Sequence, residues 1–130
     1  MQERFQSRLV EDRRTLKVHS TRRPNEGKEA ITEYEVTERL PNATVLSVRL
    51  RTGRRNQIRV HLAEAGHPLV GDRSYGRRTA LIDRTALHAR TLRFIHPVSG
   101  LPVTFESSLP RDLRHLIKSL RRGVAGPVDR

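Results

Sequence analysis

The hydrophobic period changes within residues 30–66, and no other feature of the chain restricts the fold as much. From Ala30 to Leu40, the positions Ala30, Thr32, Tyr34 and Val36 alternate with Ile31, Glu33, Glu35 and Thr37. This is the period of two that a half-buried strand requires. Leu40-Pro41-Asn42-Ala43 supplies a turn, and in the run Thr44 to Leu50 the residues Leu46, Val48 and Leu50 face away from Ser47, Arg49 and Arg51. Two alternating runs joined by turn chemistry predict a hairpin. After Thr52-Gly53 the period becomes 3.6. Ile58, Leu62 and Ala65 then share one helical face, Gly66 offers a left-handed cap, and Pro68 forbids continuation. A hairpin that feeds a helix of about three turns excludes an all-helical bundle and an all-strand sandwich alike.

The flanking sequence fits the same α+β class. Leu9-Val10 and Leu16-Lys17-Val18, separated by the charged run Glu11 to Thr15, read as a small hairpin or two edge strands. His19 to Glu29 is polar and broken by Pro24 and Gly27, the mark of a surface loop. Leu69-Val70 is a short buried piece, and Arg73 to Arg84 is a basic loop. Leu87 to Ile95 alternates again, Pro97 to Gly100 turns the chain, and Val103 to Phe105 returns as a partner strand. The last helix opens at Pro110 with Asp112 at its positive end, carries Leu113, Leu116, Ile117 and Leu120 on one face, and stops before Gly123. The architecture expected is a largely antiparallel mixed sheet with two helices. Its parts would be short strands and a polar loop over 1–29, the main body over 30–122, and a frayed tail over 123–130.

Charge and composition narrow the partners. The chain has 130 residues with 26 Lys+Arg against 14 Asp+Glu, a net charge of +12, and 23 of the 26 are arginine. Arginine is always charged and its planar fork binds phosphate bidentately, so the excess favours a nucleic acid, although codon bias also enriches arginine. The basic residues are spread along the chain rather than gathered beside an apolar helix face, which argues against a membrane partner. No apolar run approaches the length of a membrane span, and the start Met-Gln-Glu-Arg-Phe-Gln does not read as a secretory signal, so a cytoplasmic location is expected. With no cysteine there is no disulfide, thiolate zinc site or thiol nucleophile. The pairs His61/His67 and His88/His96 match no established metal spacing, and neither a Gly-x-Ser-x-Gly elbow nor a phosphate-binding Gly-rich loop occurs. No metal site is expected.

The densest chemistry lies between Arg49 and Asp72. The Thr52-Gly53 turn feeds Arg54, Arg55 and Asn56 into a helix N-terminus, an arrangement of donors suited to an anion. Arg59 follows Ile58, close to the apolar face. An arginine there either meets a carboxylate or snorkels to solvent, and spacing does not choose between the two.

The run Thr52-Gly53-Arg54-Arg55-Asn56-Gln57-Ile58-Arg59-Val60-His61-Leu62-Ala63, followed by Gly66 to Asp72 and Tyr75-Gly76, resembles the third conserved motif of the RluA family of RNA pseudouridine synthases. The likeness continues in order through Ala86 to Ala89, Leu92 to Gly100 and Leu109 to Leu113, with Gly27 to Tyr34 upstream, so that it spans about residues 27 to 117. This resemblance implies the C-terminal part of a synthase catalytic domain. It also implies isomerisation of uridine to pseudouridine in ribosomal or transfer RNA: an aspartate acts on the nucleotide, the base detaches, turns and rejoins through C5, with no metal or organic cofactor. The base must leave its stack to react. Arg59 matches the motif arginine that pairs with the aspartate, Gln57 and Ile58 would shape the floor of that site, and Arg54, Arg55, Asn56, Arg77 and Arg78 are candidates for RNA contact.

Two departures from the family stand out. Arg55-Asn56 replaces the Thr-His of many members, and no run of the type His-Arg-Leu-Asp-x-x-Thr-Ser-Gly, which carries the aspartate, occurs in the 130 residues. The chain by itself is therefore expected to be inactive, and a non-catalytic RNA-binding module or assembly factor is the alternative. An unpaired sheet edge would also make it self-associate.

Overall fold

The computed structural model describes residues 2–123; of the frayed tail expected over 123–130, residues 124–130 lie outside them. The elements run β1 (Gln2–Glu11), β2 (Val18–Thr21), β3 (Lys28–Arg39), β4 (Thr44–Leu50), α1 (Gln57–Glu64), β5 (Thr91–Ile95), β6 (Pro102–Glu106) and α2 (Arg111–Arg121). Four strands form one sheet in the order β2-β1-β3-β4, and β5 pairs with β6 in a separate ribbon. Every pairing is antiparallel. The α+β class and the β3–β4 hairpin are as the alternation predicts, with one irregularity between Val36 and Glu38.

The N-terminal hairpin forms, but β1 is not an edge strand. It has ten residues and pairs along most of its length with β3. Its inward positions include polar Ser7 beside Phe5 and Leu9, so apolar runs alone understate its length. β2 extends into the expected loop, to Thr21. The strand expected over Leu87–Ile95 begins only at Thr91; residues 87–90 join no strand, and His88 Nε2 bonds the Ser107 carbonyl at 3.1 Å instead.

Two small cores result. One joins Leu9, Val18, Ala30 and Val60, with Tyr75 against it; the other joins Ile82 to Leu113, Leu116 and Leu120 of α2. The apolar face read for α2 is the face it buries, with Ile117 at its margin. For α1 the expectation of Ile58, Leu62 and Ala65 is corrected. The buried residues are Gln57, Val60, His61 and Leu62, while Ile58 is half-buried and Ala65 exposed.

Polar residues dock α1 on the sheet, which is why apolar spacing misreads its face. Gln57 Nε2 donates to the Ile31 carbonyl at 2.9 Å and to Thr32 Oγ1 at 2.8 Å. His61 meets Thr32 Oγ1 through Nδ1 at 2.8 Å and Ser7 Oγ through Nε2 at 2.9 Å. The directions of these bonds follow from the far end of the chain. The Glu64 carboxylate only accepts, so Ser20 donates to it, Ser7 donates to Ser20, and Nε2–H of His61 donates to Ser7. Nδ1 is then the acceptor for Thr32, and the ring is the neutral Nε2–H tautomer. Burial accordingly pushes His61 below its ordinary value of 6.5, against a smaller opposite effect of Glu64.

Candidate active-site arginine

Arg59 leaves α1 on its own side of the helix. His61 lies two residues on, about 200° around the axis, so the shallow cleft of about 210 Å³ lined by Phe5, Ser7, Ser20, His61 and Glu64 is a separate feature. The loop after the helix turns back beneath Arg59. Gly66 takes a left-handed φ of 87°, as its position after the helix predicts, and Gly71 takes φ 80°. A Cβ on Gly71 would lie 2.2 Å from the Arg84 carbonyl oxygen, so no other residue fits this elbow.

The elbow delivers Asp72 to Arg59. Nε of Arg59 donates to Oδ2 at 2.9 Å and Nη2 to Oδ1 at 2.8 Å, a parallel two-point pair. Asp72 is 0% exposed and the Arg59 side chain 25% exposed. The Ser74 and Tyr75 amides also donate to Asp72 Oδ1, at 3.2 and 3.1 Å. Burial by itself raises the Asp72 pKa, but the Arg59 hydrogen bonds and charge, with the Tyr75 and Ser74 amides, outweigh it and hold the carboxyl below its usual 3.8. Of the two readings left open for Arg59, the structure therefore selects a carboxylate, and the carboxylate belongs to this chain.

The remaining contacts hold the guanidinium in a plane. Nη1 donates to Asn56 Oδ1 at 3.1 Å, and the guanidinium carbon lies 5.0 Å from the centre of the Tyr75 ring. Asn56 is the residue before α1 and adopts φ 56°, a left-handed conformation that asparagine tolerates better than most residues. Tyr75 is itself fixed, since its hydroxyl accepts the Val18 amide at 3.0 Å. A guanidinium has five N–H groups, and three of Arg59's are directed at Asp72 and Asn56. The others point at no protein acceptor among the described residues.

The other expected site residues divide. Gln57 is buried but serves the loop: its Oε1 accepts the Arg54 amide at 3.0 Å and the Thr52 hydroxyl at 2.7 Å. Arg54 Nε donates to the Glu29 carbonyl at 2.8 Å, and Arg55 pairs with Glu11 at 2.9 Å. The donors expected to hold an anion at the start of α1 are thus largely engaged within the protein. Arg77 and Arg78 are exposed and make no ion pair among the described residues. Asp72 and Tyr75 lie in the motif run, yet nothing periodic in the sequence links them to Arg59. Among the described residues no group of three or more histidines and carboxylates is placed to hold a metal ion, and no helix is long and apolar enough to cross a membrane.

Comparison with known proteins gives one consistent result. The family described as RNA pseudouridylate synthase matches residues 2–64, starting upstream of where the motif resemblance begins. A protein of Xylella fastidiosa named ribosomal large subunit pseudouridine synthase D is 42% identical over 128 residues, covering 88% of this chain and 37% of its own length. Bacillus subtilis YlyB, named an uncharacterized RNA pseudouridine synthase, is 46% identical over 98 residues, covering 75% of this chain and 32% of its own length. The chain spans about a third of the length of these relatives. Human RNA pseudouridylate synthase domain containing 1 shares the fold, with a TM-score of 0.66 over 98% of this chain and 62% of that structure at 22% identity.

Proposed function

Because the chain belongs to the RNA pseudouridylate synthase family, of whose catalytic domain it is a part, we propose that it provides the arginine side of a site that isomerises uridine to pseudouridine in ribosomal or transfer RNA. The reaction breaks the bond from N1 to the ribose and forms one from C5, with N1 gaining and C5 losing a proton. It needs an acidic residue to act on the nucleotide and a fixed cation to hold that residue ionised. The observation that carries this reading is Arg59, immobilised by Asp72, Asn56 and Tyr75 with N–H groups still undirected. An aspartate reaching those groups would be oriented by hydrogen bonds. Asp72 already balances the Arg59 charge, so the effect on the aspartate's pKa would be smaller than from an unpaired arginine.

Gln57 acts in this reading through the loop, tying Thr52 and Arg54 to the sheet. Ile58, half-buried next to Arg59, is the apolar floor. Arg77 and Arg78, which make no ion pair among the described residues, face the RNA directly, while Arg54, Arg55 and Asn56 reach it only by giving up or sharing their bonds to Glu29, Glu11 and Arg59; no metal or organic cofactor takes part. The net charge of +12 supports a second reading, in which the chain binds RNA without modifying it.

A fusion separates the two readings. The chain is joined behind the upstream half of the Xylella fastidiosa relative's catalytic domain, incubated with ribosomal and transfer RNA, and pseudouridine is mapped chemically. The fusion is expected to convert uridine, its Arg59→Ala form to lose at least a hundredfold in rate, an electrostatic-stabiliser loss, and the 130-residue chain alone to convert none. A fusion that binds RNA yet converts no uridine, while the intact relative does, would leave only the binding reading.

A further inference from the structure

Three segments remote in sequence meet beside Arg59. Glu11, at the end of β1, pairs with Arg55 at 2.9 Å. Lys17 Nζ donates to the Ser74 carbonyl at 2.9 Å and lies 5.7 Å from the centre of the Tyr75 ring, which also carries Arg59. The turn between β1 and β2 is therefore held through Lys17 against Ser74 and Tyr75. Its own shape is well determined. The Asp12 carboxylate accepts the Arg14 and Thr15 amides at 2.8 and 2.9 Å, the Asp12 amide donates to the Lys17 carbonyl at 2.8 Å, and Leu16 closes the turn at φ 62°. A leucine in that region is uncommon, and here it lets the chain reverse so that Lys17 reaches Ser74.

The consequence is electrostatic. Arg13, Arg14, Arg73, Arg77 and Arg78 are exposed, and none makes an ion pair among the described residues. Elsewhere Arg4, Arg51, Arg84 and Arg121 each meet a carboxylate. In the two segments Asp12 alone is not matched to an arginine, and its oxygen is occupied by backbone amides; Asp72 is neutralised by Arg59. Exposed guanidinium groups without carboxylate partners suit an extended polyanion better than a small ligand, because each fork can grip a separate phosphate.

We propose that the 12–17 turn and residues 73–78 form one phosphate-binding ledge, which grips the RNA backbone beside the nucleotide presented to Arg59, with Arg13, Arg14 and Arg73 as contacts. This rests on the RNA reading above and adds to it Arg13, Arg14 and Arg73, which that reading does not include. The turn is 39 to 45 residues upstream of Asn56-Gln57 in the chain, yet the fold brings its Lys17 to the Tyr75 ring that also carries Arg59.

The test is fluorescence anisotropy of the 130-residue chain on a labelled single-stranded fragment of ribosomal RNA, from about 50 to 200 mM salt. One variant combines Arg13→Gln, Arg14→Gln and Arg73→Gln. A matched control combines Arg39→Gln, Arg114→Gln and Arg122→Gln, exposed arginines at the far end of β3, on α2 and just after it. Each phosphate contact on a single strand contributes about 0.7 to the slope of log affinity against log salt. Losing three lowers the slope by about 2, so over this range the native chain should lose about 20-fold more affinity than the ledge variant. The control should keep the native slope. A ledge variant with native affinity and slope, or a control that falls as far, overturns the proposal. Failure of the native chain to bind RNA at all would instead overturn the RNA reading on which it rests.

Discussion

Asp72 accepts two bonds from Arg59 and two from backbone amides with no exposure to solvent, so each side of the pair depends on the other. Replacing Asp72 by alanine leaves a partly buried guanidinium without its counter-charge, a change that costs about 3 to 5 kcal/mol in such pairs. A urea titration should show the midpoint of Asp72→Ala well below that of the native chain, with Asp72→Asn between them because one acceptor oxygen survives. An unchanged midpoint for Asp72→Ala would mean that Arg59 finds solvent at no cost. The pH dependence has a definite sign. The folded carboxyl lies below its ordinary value, so its contribution is fully present above the unfolded pKa and is lost as pH falls through the lower folded one. Stability of the native chain should thus decline below about pH 4, more steeply than that of Asp72→Asn. At this scale the sequence pointed to Arg59 but not to its partner. The two are 13 residues apart across a helix end, a proline and a glycine elbow, and only the elbow's geometry brings them together.

Among the elements, β3 and β4 were legible because their residues alternate along the chain between turn signals, and α2 because its buried leucines recur with a helical period. The buried side of α1 was not, because it is held by amide, hydroxyl and imidazole groups whose worth depends on partners in β1 and β3. Thr32 is the centre of that contact, accepting from Gln57 and donating to His61 while only 1% exposed. Thr32→Val keeps the shape but leaves His61 Nδ1 buried without a donor. It should cost about 1 to 3 kcal/mol, while Thr32→Ser, which keeps the hydroxyl, should cost less. Thermal unfolding followed by circular dichroism would measure both. Equal losses for the two variants would show that the methyl group rather than the hydroxyl holds α1.

For the whole molecule, the β5–β6 ribbon is the unfinished part. Leu92 faces Phe105 and Phe94 faces Val103 across the pair, and the Phe94 and Phe105 rings stack at 6.0 Å. Leu92 and Phe105 nevertheless remain 59% and 58% exposed. A two-stranded ribbon with an uncovered apolar face is marginal in water, and among the described residues β4 has no partner on its outer side. The isolated chain should form concentration-dependent oligomers by light scattering, and Leu92→Lys with Phe105→Lys should shift it towards monomer. A native chain that stays monomeric at high concentration would contradict this expectation. The amino-acid sequence by itself determined the hairpin, the two helices and their caps, the excess positive charge and the family, because alternation, turn chemistry and ordered motifs are carried by neighbouring residues. Only the tertiary structure decided that Arg59 belongs to Asp72, that α1 is docked by Gln57 and His61, and that Lys17 of the 12–17 turn reaches Ser74 and Tyr75. Each of those depends on a hydrogen bond or charge contact between residues 13 to 57 positions apart, and such contacts leave no periodic trace along the chain.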